Sequence, residues 1–224
     1  MTASGMLTPD SARLARLLCA WNLHFDRVLH PSWLPAEWPA RFRNWDRFGP
    51  QGRRVLMQEL RRHEPALDGF IECVDSREAR LCLLPRQALA QLSTACGIVL
   101  HRAWIEDTAG KRLTRVLHLA LGRPLMESAL QHAAAFDAVA ESLSPYANTP
   151  RQVIDVLQER GARLLIDLTM RAAPEHGQRL ALTFARAAFE RAPYTLNAQQ
   201  WQQVADLVFL CFIPEQLPAW DWLF

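Results

Sequence analysis

The stretch TPRQVIDVLQERGARLLIDL, residues 149–168, carries the clearest structural signal in the chain. It opens with a hydroxyl at Thr149 and a side-chain amide three residues later at Gln152, which is the form of a capping box at a helix start. Apolar residues then recur three and four positions apart, namely Val153, Val156, Leu157, Leu164 and Leu168. This spacing predicts a long amphipathic helix that packs one face against a core.

Two further segments repeat the helical pattern towards the ends of the chain. Asn197 and Gln200 have the capping-box form ahead of an apolar run that reaches Phe212. Thr8 and Pro9 open an apolar stripe that follows helical spacing. The sequence therefore predicts a mainly α-helical fold, with one compact multi-helix domain over residues 1–224. The loop at 142–149 is the one place where we allow a weak subdivision.

The helical periodicity is weaker between these segments. Residues 36–64 predict two short helices broken by a Gly-Pro pair, with Val55, Leu56 and Leu60 on the inner face of the second. Two short apolar runs within residues 70–84 are also compatible with strands. We therefore allow a small β-hairpin there.

Composition places the chain among folded proteins without a membrane span. Of its 224 residues, 50% are hydrophobic and 21% are charged, which is typical of a globular domain. The longest apolar run, residues 207–213, is far shorter than the roughly 20 residues that a spanning helix needs. Residues 1–10 lack the basic and apolar regions of a secretory signal. We expect a cytoplasmic protein.

Sequence signatures of catalysis and cofactor binding are missing. The nearest approach to a phosphate-binding loop, Ala109-Gly110-Lys111-Arg112, lacks the hydroxyl that would bind magnesium. Neither the pair His24 and His30 nor the pair Cys96 and His101 has the short spacing of a metal site. We expect no enzyme, no cofactor, no metal and no small-molecule substrate. An enzyme assembled from scattered histidines, cysteines and acids remains a further alternative.

The region after the first helix is rich in arginine. Residues 41–62 contain seven arginines and two acids, with Trp45 and Phe48 between them. Two amphipathic helices with a solvated outer face would produce this pattern, and so would a surface for an acidic protein partner. Arginine beside aromatic residues also binds nucleic acid through charge and stacking, so a helical nucleic-acid-binding protein using residues 38–62 is the main alternative.

Aromatic residues add to the candidate contact surface. Of the eight tryptophans, four lie within residues 21–45 and two lie in the last five residues. The C-terminal tail either docks on its own domain or binds a partner. The candidate partner-binding residues are Trp33, Trp38, Trp45, Arg53, Arg54, Trp220, Trp222 and Phe224.

A set of short motifs in residues 15–125 resembles a known family. The motifs are Phe25, His30-Pro31-Ser32-Trp33, Leu34-Pro35, Leu83-Leu84-Pro85, Gly97-Ile98-Val99-Leu100-His101, Ile105 and Leu121-Gly122. Together they resemble the SctK (YscK-type) accessory proteins of bacterial type III secretion systems. Where some relatives look basic after the isoleucine, this chain has Glu106 and Asp107, so no contact by basic residues there carries over.

The resemblance implies a helical adaptor of the secretion sorting platform, without catalysis or a cofactor. Such a protein links the cytosolic domain of the inner-membrane ring component SctD to the SctQ pods, which lead to the SctL stator and the SctN ATPase. It would lie at the cytosolic face of the inner membrane. The candidate contact residues above come from composition and are not carried over from the family.

Overall fold

Helices make up the fold throughout the part of the chain that the structure describes, where no strand occurs. The computed structural model describes residues 9–44, 47–107, 110–132, 143–146 and 149–224. Its helices are α1 (Pro9–Leu23), α2 (Ala40–Arg43), α3 (Pro50–His63), α4 (Arg77–Arg80), α5 (Arg86–Leu100), α6 (Arg102–Asp107), α7 (Gly110–Leu121), α8 (Arg123–His132), α9 (Pro150–Ala172), α10 (Pro174–Ala181), α11 (Arg186–Glu190), α12 (Ala198–Asp206) and α13 (Ile213–Gln216). The predicted mainly α-helical fold is confirmed.

Helix α9 lies at the centre of this arrangement. Residues 160–169 are all buried, because α5, α10 and α11 pack around this half of the helix. The helix begins directly after Thr149, as the sequence predicts. The capping box itself does not form there, since the Thr149 hydroxyl donates to the side-chain oxygen of Gln152 at 2.7 Å and accepts no backbone N–H.

Two glycines allow α5 and α9 to approach until their backbones touch. A Cβ atom built on Gly161 would lie 1.7 Å from the Ser93 carbonyl oxygen, and one on Gly97 would lie 2.0 Å from the Leu157 carbonyl oxygen. Both distances are far inside van der Waals contact. Only glycine therefore fits at this helix crossing, which fixes α5 against the central helix.

The β-hairpin allowed over residues 70–84 does not form. Residues 70–75 form neither helix nor strand, and the chain then enters α4 and a 3₁₀ turn at Leu81–Leu83. Side chains pair with backbone groups of this segment instead. The Asn22 carboxamide donates to the Ile71 carbonyl and accepts from the Ile71 N–H, both at 2.9 Å, and Arg80 donates to the Val74 carbonyl at 3.1 Å. With these groups already paired, this segment needs no second strand.

The C-terminal helices form one continuous but irregular rod. The Asn197 side chain accepts from the Gln200 N–H while the Gln200 side chain accepts from the Asn197 N–H, so the capping box predicted at the start of α12 is confirmed. A wider π-helical turn, Leu207–Phe212, joins α12 to α13. Pro214 lies two residues after this turn, and a proline ring would clash with the carbonyl four residues before it in a regular α-helix, which favours the wider turn.

One hydrophobic core extends through the described residues, from Trp21 to Leu223, so they form one helical domain. Of the loop at 142–149 where we allowed a subdivision, residues 142, 147 and 148 lie outside the described part, and Leu143 is buried in the core. Among the described helices, none combines the length and the apolar character needed to cross a lipid bilayer.

Candidate functional site

A groove rich in arginine lies between the end of α1, with the 3₁₀ turn Phe25–Arg27 that follows it, and helix α3. Its cavity has a volume of about 290 Å³. The groove is lined by Asn22, Leu23, His24, Phe25, Asp26, Arg27, Pro50, Arg53, Arg54, Met57, Gln58 and Arg61. We call this region the basic groove.

Helix α3 contributes most of the charge because of the way it packs. Met57 and Leu60 are its buried residues and hold it against the core. Val55 is 64% exposed, so the prediction that it lies on the inner face is wrong. The buried contact passes through Met57 and Leu60, which turns Val55 towards solvent and leaves Arg54 and Arg61 at the groove.

The groove carries four arginines and a single carboxylate, that of Asp26. Asp26 lies 3.5 Å from the Arg53 guanidinium, and both side chains are partly shielded from solvent. Arg54 and Arg61 are exposed, and neither forms an ion pair with any residue that the structure describes. The groove therefore presents an excess of positive charge, which suits an anionic group.

A fifth arginine lies behind the groove wall. Arg179, on α10, is only 1% exposed, and it donates to the Asn22 side-chain oxygen at 2.9 Å and to the Leu67 and Gly69 carbonyls at 3.3 Å each. Its guanidinium also lies 5.6 Å from the centre of the Phe25 ring. None of these partners is a carboxylate, so the charge of Arg179 adds to the positive potential of the groove.

The pKa of Arg179 reflects this setting. Burial lowers the pKa of its guanidinium, and the positive charge of Arg61 lowers it further. Arg61 therefore lies close enough to Arg179 for their positive charges to repel each other. Asn22 and Phe25 both line the groove and contact Arg179, so they connect the buried charge to the surface site.

The structure separates the predicted contact residues of the first part of the chain. Arg53 and Arg54 line the basic groove. Trp33 is only 5% exposed, and its indole N–H donates to the Phe184 carbonyl at 2.9 Å, so it belongs to the core. Trp38 is half-buried against the same core, and Trp45 lies outside the described residues.

The C-terminal tail packs on its own domain. The Arg13 guanidinium lies 4.0 Å from the centre of the Trp222 ring, and the rings of Phe224 and Phe209 are 5.4 Å apart. Arg80 donates to the Leu223 carbonyl at 2.9 Å. Trp220 is also half-buried against the core. Of the two alternatives left open by the sequence, the structure has the tail docked internally.

This docking makes Trp222 a stabilising residue. We expect Trp222→Ala to lower the free energy of unfolding by about 1–2 kcal/mol, because it removes a half-buried aromatic ring and its cation–π contact with Arg13. Urea denaturation followed by circular dichroism measures the change. Phe70→Ala is the control, since Phe70 is an exposed aromatic residue, and it should change stability little. Equal stability of wild type and Trp222→Ala would mean that the tail is undocked in solution.

Sequence reasoning missed several residues of the groove. Arg61 was counted in the basic stretch, but its position two helical turns after Arg54 is the signal that could have placed both on one face. Arg27 lies outside that stretch, and Arg179 lies more than 100 residues away from it. No local pattern brings α10 beside α1, so Arg179 could not be found from the sequence.

A polar cluster between α8 and α13 lies outside the groove. Glu215 accepts from the Ser128 hydroxyl at 2.7 Å and contacts His132 Nε2 at 2.6 Å. The Ser128 hydrogen bond is the largest effect and lowers the pKa of the Glu215 carboxyl, burial opposes it, and the hydrogen bond and charge of His132 lower the pKa further. Ser128 donates to the carboxylate and not to the imidazole. The cluster joins α8 to α13.

The chemistry that the basic groove offers is therefore the binding of anions by arginine. Within the described ranges, no group of three or more histidine, cysteine, aspartate or glutamate side chains is placed to hold a metal ion. Comparison of the chain with protein-family models, with curated proteins and with solved structures found no match.

Proposed function

We propose that this chain is a non-catalytic adaptor of a bacterial type III secretion sorting platform. It links the cytosolic domain of an SctD-type ring component to an SctQ-type pod protein, and through that protein to SctL and SctN. The resemblance of residues 15–125 to SctK proteins supports the choice of partners. The observation that carries the mode of action is the basic groove, where Arg54 and Arg61 lie exposed beside a single carboxylate.

An adaptor acts through its surface, and the groove has the properties of a protein-binding surface. Arginine is enriched among the residues that dominate binding energy at interfaces. Met57 and Leu23 add apolar area beside the charges, and Leu23 is 67% exposed at the groove rim. A partner with acidic side chains around an apolar residue would match both features.

A binding experiment with the named partners tests this function. Isothermal titration calorimetry would measure the affinity of the full chain for an SctD-type cytosolic domain and for an SctQ-type protein of the same secretion system. We expect both to bind. Arg54→Glu should weaken binding of one of them by about tenfold or more, because it reverses a charge at the interface.

Arg62→Glu is the matched control for that variant. Arg62 lies on the same helix but outside the groove, where it pairs with Glu59 at 2.6 Å in an exposed setting. This variant should bind both partners like wild type. Arg53→Glu is a poorer probe, because it would place a second carboxylate beside Asp26 and disturb folding. Failure of the wild-type chain to bind either partner would contradict the proposed function.

Nucleic-acid binding is the second candidate, and the positive charge of the groove favours it. Three described aromatic residues of segment 38–62 are less suited to stacking, because Trp38 is half-buried and the rings of Phe42 and Phe48 pack together at 5.7 Å. A gel-shift assay with single-stranded DNA and RNA at moderate salt distinguishes the two functions. A complex whose affinity falls steeply with salt and is lost in Arg54→Glu would favour nucleic acid.

A further inference from the structure

The residues that α3 presents to the basic groove follow a helical repeat. Arg54, Met57, Gln58 and Arg61 all line the groove, at intervals of three, one and three residues. They therefore share one face of the helix. Arg54 and Arg61 are seven residues apart, which is two turns and about 10.5 Å along the helix axis.

These two arginines are the cations of α3 that remain open to a ligand. Arg53 is engaged by Asp26 at 3.5 Å and Arg62 by Glu59 at 2.6 Å. Arg54 and Arg61 have no such carboxylate among the described residues. Between them lies Met57, which is buried against the core but lines the groove with its 9% exposed surface, and Leu23 adds an exposed apolar side chain from the end of α1. Along this face of α3, a cation is followed by an apolar residue and then by a second cation.

The axial spacing of the two arginine positions along α3 favours a helical conformation of the partner segment. In an extended segment, side chains on one face recur every second residue, at about 6.7 or about 13 Å. Neither distance matches the spacing on α3. In a helix, the side chain seven residues on returns to the same face at about 10.5 Å, with positions three and four residues on between them. A helix laid along α3 therefore places two carboxylates opposite the two arginines.

We infer that the basic groove binds an acidic amphipathic helix of a partner protein, with two carboxylates seven residues apart contacting Arg54 and Arg61 and an apolar side chain between them contacting Met57. This inference rests on the proposed function as a protein-binding adaptor and adds the chemistry and register of the bound segment. Arg27 on the facing wall and buried Arg179 strengthen the attraction for negative charge.

Two helical peptides of identical composition test the register. One carries glutamates seven residues apart with a leucine between them on the same face, and its isomer carries the same residues with the glutamates five apart, on different faces. Fluorescence polarisation would measure their affinities for the full-length chain. We expect the first peptide to bind about tenfold more tightly or better, because only it satisfies both arginines at once.

Charge-reversal variants locate the binding. Arg54→Glu and Arg61→Glu should each remove the preference for the first peptide, while Arg62→Glu keeps it. A peptide with lysine in place of the second glutamate should regain affinity for one of the two groove variants and for no other variant. Thermal unfolding of each variant confirms that it is folded.

The inference is overturned if the two isomers bind equally, if neither binds measurably, or if Arg62→Glu removes the preference as well. It is also overturned if single-stranded DNA binds more tightly than the first peptide and depends on the same arginines. If the register preference holds but neither an SctD-type nor an SctQ-type protein binds, the choice of partners fails while the chemistry of the groove stands.

Discussion

Replacing Gly161 with alanine lowers the free energy of unfolding by about 3 kcal/mol, which is the expected cost of overpacking at the central helix crossing. The new Cβ atom would lie 1.7 Å from the Ser93 carbonyl oxygen and 2.7 Å from the Gly97 nitrogen. Both are backbone atoms that no side-chain rotation can move, so α5 and α9 must separate. Intrinsic helix propensity alone would favour alanine by about 1 kcal/mol. A loss of stability in Gly161→Ala would therefore come from the close approach of α5 and α9.

Urea denaturation followed by circular dichroism would measure this change. Gly97→Ala should act in the same direction, since its Cβ would lie 2.0 Å from the Leu157 carbonyl oxygen. Gly49→Ala is the control, because no atom lies within 4 Å of a Cβ at that position. A Gly161→Ala variant as stable as wild type would show that α5 and α9 do not meet at these glycines.

Replacing Arg179 with alanine lowers the free energy of unfolding by about 3–4 kcal/mol. The change leaves the Leu67 and Gly69 carbonyls without this donor inside the protein and opens a cavity. It also removes the cation–π contact with Trp21, whose ring centre lies 5.0 Å from the guanidinium. Since Arg179 joins α10 to α1 and to the loop after α3, the basic groove should lose its shape as well.

Two further variants separate the causes of this loss. Arg179→Met keeps most of the volume and removes the burial penalty of the charge, so it should cost less than the alanine variant. Arg123→Ala is the surface control, because Arg123 is 79% exposed and pairs only with Glu127 among the residues described, so it should change stability by less than about 0.5 kcal/mol. If the alanine variant unfolds at the same urea concentration as wild type, Arg179 does not hold these elements together.

Much of the fold could be predicted because its signals are local. The start of α9 after Thr149 and the capping box at Asn197 depend on residues within one helical turn, so the sequence contains everything needed to place them. The hairpin allowed at 70–84 failed for the opposite reason. The Ile71 backbone groups pair with Asn22, which lies 49 residues away in the chain. A local sequence pattern cannot indicate a partner at that distance.

The candidate site was predictable only in part. Arg53 and Arg54 were identified because arginines cluster in their segment, and Arg54 lies in the groove with Arg61 at helical spacing. Composition alone gave no means of separating Trp33, which is buried, from a side chain at the surface. Arg27 and Arg179 join the same positive region only because α1, α3 and α10 come together.

The amino-acid sequence by itself determined the helical class of this protein and the starts of its principal helices, because capping groups, prolines and apolar spacing act over a few residues. Only the tertiary structure decided which faces meet. The contact of Gly161 with α5 and the enclosure of Arg179 arise from elements far apart in the chain. Burial and electrostatic potential depend on distances in space, and these are set when the core forms.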